Sequence, residues 1–214
     1  MDFDDFMYII PKMKDITTTE DYNGKEFQDV MSPKERLDID IASVQDAKEA
    51  AVLGYIYPNQ DDKTCILLTL RADYDGEHSA QVSFPGGKKE AEDETLKDTA
   101  KRETMEELGL NYCDILFVFP LSQVYIPTSN FLVTPFIGIN SEIPEFKTNE
   151  EVAKLIEVSV SELLKDKYVG TEFVNTSYGK KMEVPCFKID EHIVWGATAM
   201  ILNEVKELFK LAMQ

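Results

Sequence analysis

The stretch FPGGKKEAEDETLKDTAKRETMEELGL, residues 84–110, decides how this chain is read. A Gly-Gly turn runs into a helical segment whose start and stop are both encoded. Thr95 is a cap with Asp98 three residues on, the spacing of a capping box, and Gly109 stops the helix, as glycine does just past a helix end. Residues three and four apart on a helix are neighbours, so Glu103 and Glu107 stack one turn apart with Glu106 beside them. Like charges so placed cost roughly a few tenths of a kcal/mol per solvated pair. Arg102 reaches Glu106 one turn on and relieves part of that repulsion. Such a surface is either a solvated acidic face or a cation site. Oxygen-only carboxylate clusters suit Mg²⁺ or Mn²⁺, because hard cations prefer such ligands. Gly86 and Gly87 let the backbone approach closely, which makes a main-chain carbonyl available as a further ligand. A diphosphate would be repelled by this face unless divalent cations bridged the two, and the same ions polarise phosphoryl oxygens. The pattern points to metal-assisted hydrolysis of a phosphoanhydride.

Composition narrows the rest. At 214 residues, with a hydrophobic fraction of 43%, the chain suits one medium domain with an attached terminal segment. The net charge of −18 argues against binding to nucleic acid or to anionic membrane surfaces. Cys65, Cys113 and Cys186 are too few and too scattered for a disulfide framework or a zinc knuckle. The acidic start, MDFDDFMYIIPKMKD, lacks the basic residues of a signal peptide, and no apolar run approaches a membrane span. A cytoplasmic protein is expected.

Outward from the glycine turn, apolar runs at residues 51–57, 64–71, 115–125, 131–139, 155–160 and 182–189 read as strands. Residues 161–166 read as a short helix. A closing helix spans 196–213, with Ile201, Val205, Leu208 and Leu211 on one stripe. Ahead of these, residues 1–45 read as an N-terminal segment packed on a main domain of 46–214. Phe3, Phe6, Met7 and Ile10 follow helical spacing until Pro11 stops the pattern, TTTEDYNGKEF is turn-rich, and Ser32-Pro33 looks like a helix cap. The element order is mixed, not alternating, so an α+β sheet covered by helices is expected.

The segment from Gly87 to Leu110 resembles the Nudix box: a glycine, a first acid, then Arg-Glu-x-x-Glu-Glu-x-Gly and an apolar residue. Thr104 stands where an aliphatic residue is usual. For the first acid, Asp93 keeps the distance from Gly87 and Glu94 keeps the distance to Arg102. That one-residue expansion is similar to the coenzyme A pyrophosphatase branch, whose second signature is matched by LLTLRADYDGEHSAQVSFPGG, residues 67–87, at nine of eleven fixed positions. Gly76 replaces an arginine and Ala80 a glycine. The stretch IVWGATAMIL, residues 193–202, is also similar to that branch.

The resemblance implies a Nudix fold, a mixed β-sheet sandwiched between helices, and a Mg²⁺- or Mn²⁺-dependent hydrolase cleaving coenzyme A or acyl-coenzyme A to 4′-phosphopantetheine (or its acyl form) and adenosine 3′,5′-bisphosphate. Another nucleoside diphosphate derivative, such as ADP-ribose or NADH, is the alternative substrate, and a nucleotide-sensing module without catalysis is a third reading. It also implies roles. Glu103 and Glu107 are metal ligands, Glu106 a third ligand or the base, and the Gly86 carbonyl a further ligand. Arg102 orients the glutamates. Glu150 or Glu151 supplies a later carboxylate, as ligand or general base. Asp93 and Glu90 serve the turn and helix start. Arg71, His78, Gln81 and Lys88 lie on the substrate side, and Tyr125, Ser129 and Asn130 line a pocket or serve a turn. Trp195 stacks on adenine or anchors the last helix, and His192 is structural. A homodimer is a family expectation.

Overall fold

The computed structural model describes residues 1–36, 41, 44–72, 81–175 and 181–214. Two sheets carry the architecture. The larger, eight-stranded one is built on β1 (Lys48–Pro58), the long central strand. On one side β1 pairs antiparallel with β2 (Thr64–Arg71), and β2 in turn with β3 (Val82–Ser83) and β8 (Val152–Ser159). On the other side β1 runs parallel to β7 (Phe131–Ile139), against which β5 (Leu116–Pro120) and β6 (Val124–Ile126) lie antiparallel. The short β4 (Gly86–Lys88) pairs with the start of β1. The parallel β1–β7 pair makes the sheet mixed.

Side chains alternate across a strand, and both faces of β1 are buried. Leu53, Tyr55 and Tyr57 pack with Leu67, Leu108, Leu110 and Ile115 under α3 (Leu96–Leu108). Ile56 belongs to the opposite core, with Phe6, Ile66, Leu68, Val205 and Phe209. That core lies beneath α1 (Phe3–Thr17) and α5 (Gly196–Ala212). The result is the helix–sheet–helix sandwich of an α+β fold.

Several sequence expectations need correcting. The first helix does not stop at Pro11 but runs through it to Thr17. Proline inside a helix costs about 3 kcal/mol. Here Pro11 and Met7, whose carbonyl loses its partner, face solvent, while Phe3, Phe6, Ile10 and Met13 continue the buried stripe beyond the break. The turn-rich stretch that follows contains α2 (Gly24–Asp29). The run at residues 115–125 is two strands, β5 and β6, interrupted where the Leu121 amide donates to the Pro135 carbonyl. A short helix, α4 (Val160–Leu163), follows β8. The strand expected at 182–189 is β10 (Lys181–Ile189), and two strands not expected, β9 (Val169–Asn175) and β11 (His192–Trp195), join it in a separate antiparallel sheet. Leu211 falls off the buried stripe of α5 and is exposed, whereas Phe209 is fully buried.

The N-terminal helices are tied to α5 by a buried acid. Glu204 has no exposed surface. Its carboxylate accepts from the Tyr22 hydroxyl at 2.7 Å, the Gln28 side-chain amide at 2.6 Å and the Ser122 backbone amide at 2.9 Å. Gly24 makes room for it, since a Cβ there would fall 2.0 Å from the Glu204 carboxylate. Removing an acceptor that satisfies three donors leaves each without that partner, at roughly 1–3 kcal/mol apiece. Glu204→Ala is expected to lower unfolding free energy in urea by about 3 kcal/mol or more. A loss below about 1 kcal/mol would show that this network holds little.

Candidate active site

The site begins with missing side chains. Gly86 has φ +144°, and a Cβ there would lie 2.3 Å from the Ala51 carbonyl oxygen. At Gly87 a Cβ would lie 2.5 Å from the Glu103 carboxylate. The two glycines thus let β4 press between β1 and the acidic surface of α3. The Gly86 amide donates to Glu107 at 3.2 Å.

The helix itself is set by local chemistry. Thr95 accepts from the Asp98 amide, Asp98 returns the bond to the Thr95 amide, and Gly109 takes the left-handed conformation at the far end. Thr104 is fully buried, and its hydroxyl is satisfied one turn back by the Ala100 carbonyl at 2.7 Å. That contact lets a polar residue replace the usual aliphatic one.

Arg102 organises the acids. Its Nε and Nη2 both donate to the carboxylate of Asp93, each at 3.0 Å. Nη1 meets Glu103 at 3.1 Å and Glu106 at 3.4 Å, and Nη2 also reaches the Lys88 carbonyl at 3.1 Å. Asp93 further accepts from the Thr99 hydroxyl and the Glu90 amide. The guanidinium, chiefly, holds the Asp93 carboxyl well below the usual carboxylate range, and the same contact raises Arg102 above its ordinary value. Asp93, not the exposed Glu94, is therefore the acid that partners Arg102. Its part in the turn, through the Glu90 amide, is as expected, but the bidentate fork with Arg102 is a role the sequence reading misses. Spacing does not separate the two, since Asp93 keeps the distance from Gly87 and Glu94 the distance to Arg102.

Glu107 is the deepest carboxylate of the group, 4% exposed. Burial pushes its carboxyl up to about 7, against the lowering effects of the Gly86 amide and of Arg71. Burial also raises Glu103, and Glu106 and Glu151 add to that rise. Arg71 extends from the end of β2 and faces two acids, Glu107 at 3.8 Å and Glu151 at 3.3 Å. Glu151 is brought there by backbone pairing: the Ala72 amide donates to the Glu151 carbonyl at 2.8 Å.

Several candidates thus come together: Gly86, Arg71, Arg102, Glu103, Glu106, Glu107 and Glu151. The Lys88 side chain is exposed, and it is its backbone carbonyl that joins the group. Gln81 is half-buried, and its carbonyl accepts from the Arg71 amide. His78 lies outside the described residues. Tyr125 donates to Asn130 across the β6–β7 turn, which is turn chemistry. Trp195 pairs with Cys186 in the smaller sheet, and His192 sits beside Lys154 and Glu191.

Among the described residues no three acidic, imidazole or thiol groups meet as a ready metal cage. Glu103 and Glu106 turn to Arg102, while Glu107 turns to Gly86 and Arg71. The donor set still fits a hard divalent cation. All the converging side-chain ligands are carboxylates, and Glu106 and Glu151 raise the proton affinity of Glu103, as Glu103 and Glu151 do that of Glu107. Burial is the first cause of both rises, and the neighbouring carboxylates add to it.

The model of the NUDIX domain matches residues 47–173, more than half of the chain. The chain is 31% identical over 144 residues to the uncharacterized Nudix hydrolase NudL of Yersinia pestis (strain Pestoides F), covering 66% of this chain and 71% of that one. The same figures hold for NudL of Yersinia pseudotuberculosis serotype O:1b (strain IP 31758). Among solved structures, a MutT/nudix family protein from Enterococcus faecalis superposes with a TM-score of 0.50 at 12% identity, over 84% of this chain and 70% of that one, a likeness of fold alone. The chain belongs to the Nudix family. It is therefore a Nudix hydrolase, of a family that hydrolyses phosphoanhydrides and generally needs divalent metal ions. No helix among the described residues is long and apolar enough to cross a membrane.

The raised Glu107 carboxyl has a stability consequence with a definite sign. Its folded-state value of about 7 lies above the ordinary 4.5, so the folded protein binds this proton more tightly than the unfolded chain. The favourable contribution is complete below about pH 4.5, falls away as pH rises toward 7, and is absent above that. In chelator at pH 8, Glu107→Gln is expected to raise stability by up to about 3 kcal/mol, since each tenfold difference in proton affinity between folded and unfolded chains is worth about 1.36 kcal/mol. That gain should vanish near pH 4.5. Thermal unfolding of both proteins across this range measures it, and a pH-independent difference would contradict the assignment.

Proposed function

We propose that this chain is a pyrophosphohydrolase of coenzyme A or its acyl derivatives, cutting the diphosphate to leave adenosine 3′,5′-bisphosphate and 4′-phosphopantetheine or its acyl form. The observation that carries the reading is the strip of carboxylates, Glu103 and Glu107 foremost, lying against a backbone stripped of side chains at Gly86 and Gly87. A carboxylate surface without attached bulk suits a substrate that is itself a polyanion only if cations lie between them. The signature at residues 67–87, matched at nine of eleven positions, directs the choice to coenzyme A.

Glu103 and Glu107 would hold Mg²⁺ or Mn²⁺, with Glu106, Glu151 and the Gly86 carbonyl as further oxygen donors. When bound, the cation polarises the phosphoryl oxygens and offsets the charge that develops on them. Arg102 holds Glu103 and Glu106 in fixed positions and ties them to the β4 backbone through Lys88. Asp93 locks the arginine in turn, so that its fork does not swing toward the substrate. Glu151 or Glu106, both open to solvent, would serve as the base for an attacking water if not taken up as a metal ligand. Gln81, just ahead of β3, and Lys88, the last residue of β4, are the substrate-side candidates among the described residues.

One feature favours a second substrate. Gly76 stands where the signature has an arginine, the residue best suited to bidentate phosphate recognition, so ADP-ribose or NADH is the alternative. Purified protein assayed with Mn²⁺ against coenzyme A, ADP-ribose and NADH separates the cases. Release of adenosine 3′,5′-bisphosphate is expected. Turnover of ADP-ribose alone would overturn the coenzyme A reading, and no turnover of any would favour a sensing module. Glu103→Gln and Glu107→Gln are each expected to lower kcat by at least about 100-fold, the scale of lost metal support. Undiminished hydrolysis in either would remove that residue from the metal site.

A further inference from the structure

The fork of Arg71 lies between two carboxylates that come from distant parts of the chain, Glu107 on α3 at 3.8 Å from Nη1 and Glu151 ahead of β8 at 3.3 Å from Nη2. This placement is built in. The register between β2 and β8 shifts at Leu70/Arg71, so that Leu70 faces Lys154 but Arg71 faces Val152, and Ala153 is the extra residue. Bulges of this kind re-aim side chains and recur beside active sites. Here the shift brings the Glu151 carbonyl to the Ala72 amide and its carboxylate to Arg71. The Arg71 side chain is 23% exposed, between Glu107 at 5% and Glu151 at 60%, so the fork spans the site from floor to rim.

We propose that Arg71 is a positioning residue that acts as a cation surrogate, holding Glu107 and Glu151 together until a divalent metal displaces it. This rests on the metal-dependent reading above and goes beyond it. A guanidinium and a metal ion cannot occupy the same gap between two carboxylates. Loading the metal therefore breaks the contacts of Arg71 with these two acids and turns the donors that faced them toward the incoming substrate. A planar fork with paired N–H groups matches a phosphoryl group bidentately. Metal binding and exposure of a phosphate-binding group become one event, which sets an order: metal first, diphosphate second. In the absence of metal Arg71 also offsets the charge of Glu107 and Glu151, the two acids it faces.

The test is Mn²⁺ binding without substrate, followed by the electron paramagnetic resonance signal of the free ion. Removing a competitor should tighten binding: Arg71→Gln is expected to bind Mn²⁺ about tenfold more tightly than the wild type, given one unit charge a few ångströms away and partly screened. Arg71→Lys, which keeps the charge but cannot span both acids, is expected to fall between them. In chelator, thermal unfolding of Arg71→Gln should come earlier than that of the wild type, and Mn²⁺ should restore more of it. A merely structural arginine would leave Mn²⁺ affinity unchanged or lower it. Glu107→Gln serves as the reference. If it abolishes Mn²⁺ binding while neither Arg71 variant binds more tightly, the surrogate role is overturned and the metal site stands. If Glu107→Gln binds Mn²⁺ like the wild type, the metal site falls and the surrogate role with it. Should Arg71→Gln not fold, Arg71→Lys alone decides, and binding no tighter than wild type overturns the inference.

Discussion

The contact between Arg102 and Asp93 holds a site that would otherwise push itself apart. Both oxygens of Asp93 are taken by one guanidinium, and Thr99 and Glu90 complete the acid's coordination. Because that end is locked, the remaining donors of Arg102 point in fixed directions, at Glu103, Glu106 and the Lys88 carbonyl. A long, flexible side chain is thereby made rigid by a partner nine residues earlier. Charge-assisted bidentate pairs supply that geometric specificity along with their energy. The glycines complete the arrangement from the other side, since backbone alone fits between β1 and the glutamates.

Much of this was legible because helices are local. The Thr95–Asp98 cap, the Gly109 stop and the clustering of Glu103, Glu106 and Glu107 depend only on three- and four-residue spacing. The sandwich of helices about a mixed sheet follows from the order of apolar runs, and the limits expected for β2 and β7 are the observed ones. What failed was non-local. Pro11 signals a stop, yet burial of Met13 on the far side of it carries the helix on. Strand β9 puts Val169 and Phe173 on its exposed face, and β11 is only four residues long, so neither shows a buried apolar face to read.

The candidate site divides the same way. Asp93 meets Arg102 across an irregular turn, so spacing alone leaves it tied with Glu94. Glu151 can be named from sequence only alongside Glu150, because a register shift in a strand decides which acid faces Arg71. Arg71 itself is visible as a match to a signature and as a charge at a strand end, while its contacts with two acids depend on a pairing that includes residues 80 positions apart.

The buried Glu204 carries a consequence for the order of events during synthesis. It joins Tyr22 and Gln28 to α5 across separations of 182 and 176 residues. Loop closure over such distances is entropically costly and is among the slower steps of folding. The ribosome makes α1 and α2 well before their partner surface on α5. Until then Phe3, Phe6, Ile10 and Met13, which end up buried, have no α5 to cover them. While the residues between α1 and α5 are being made, the apolar stripe of α1 therefore waits for its cover, a period in which a chaperone has something to hold.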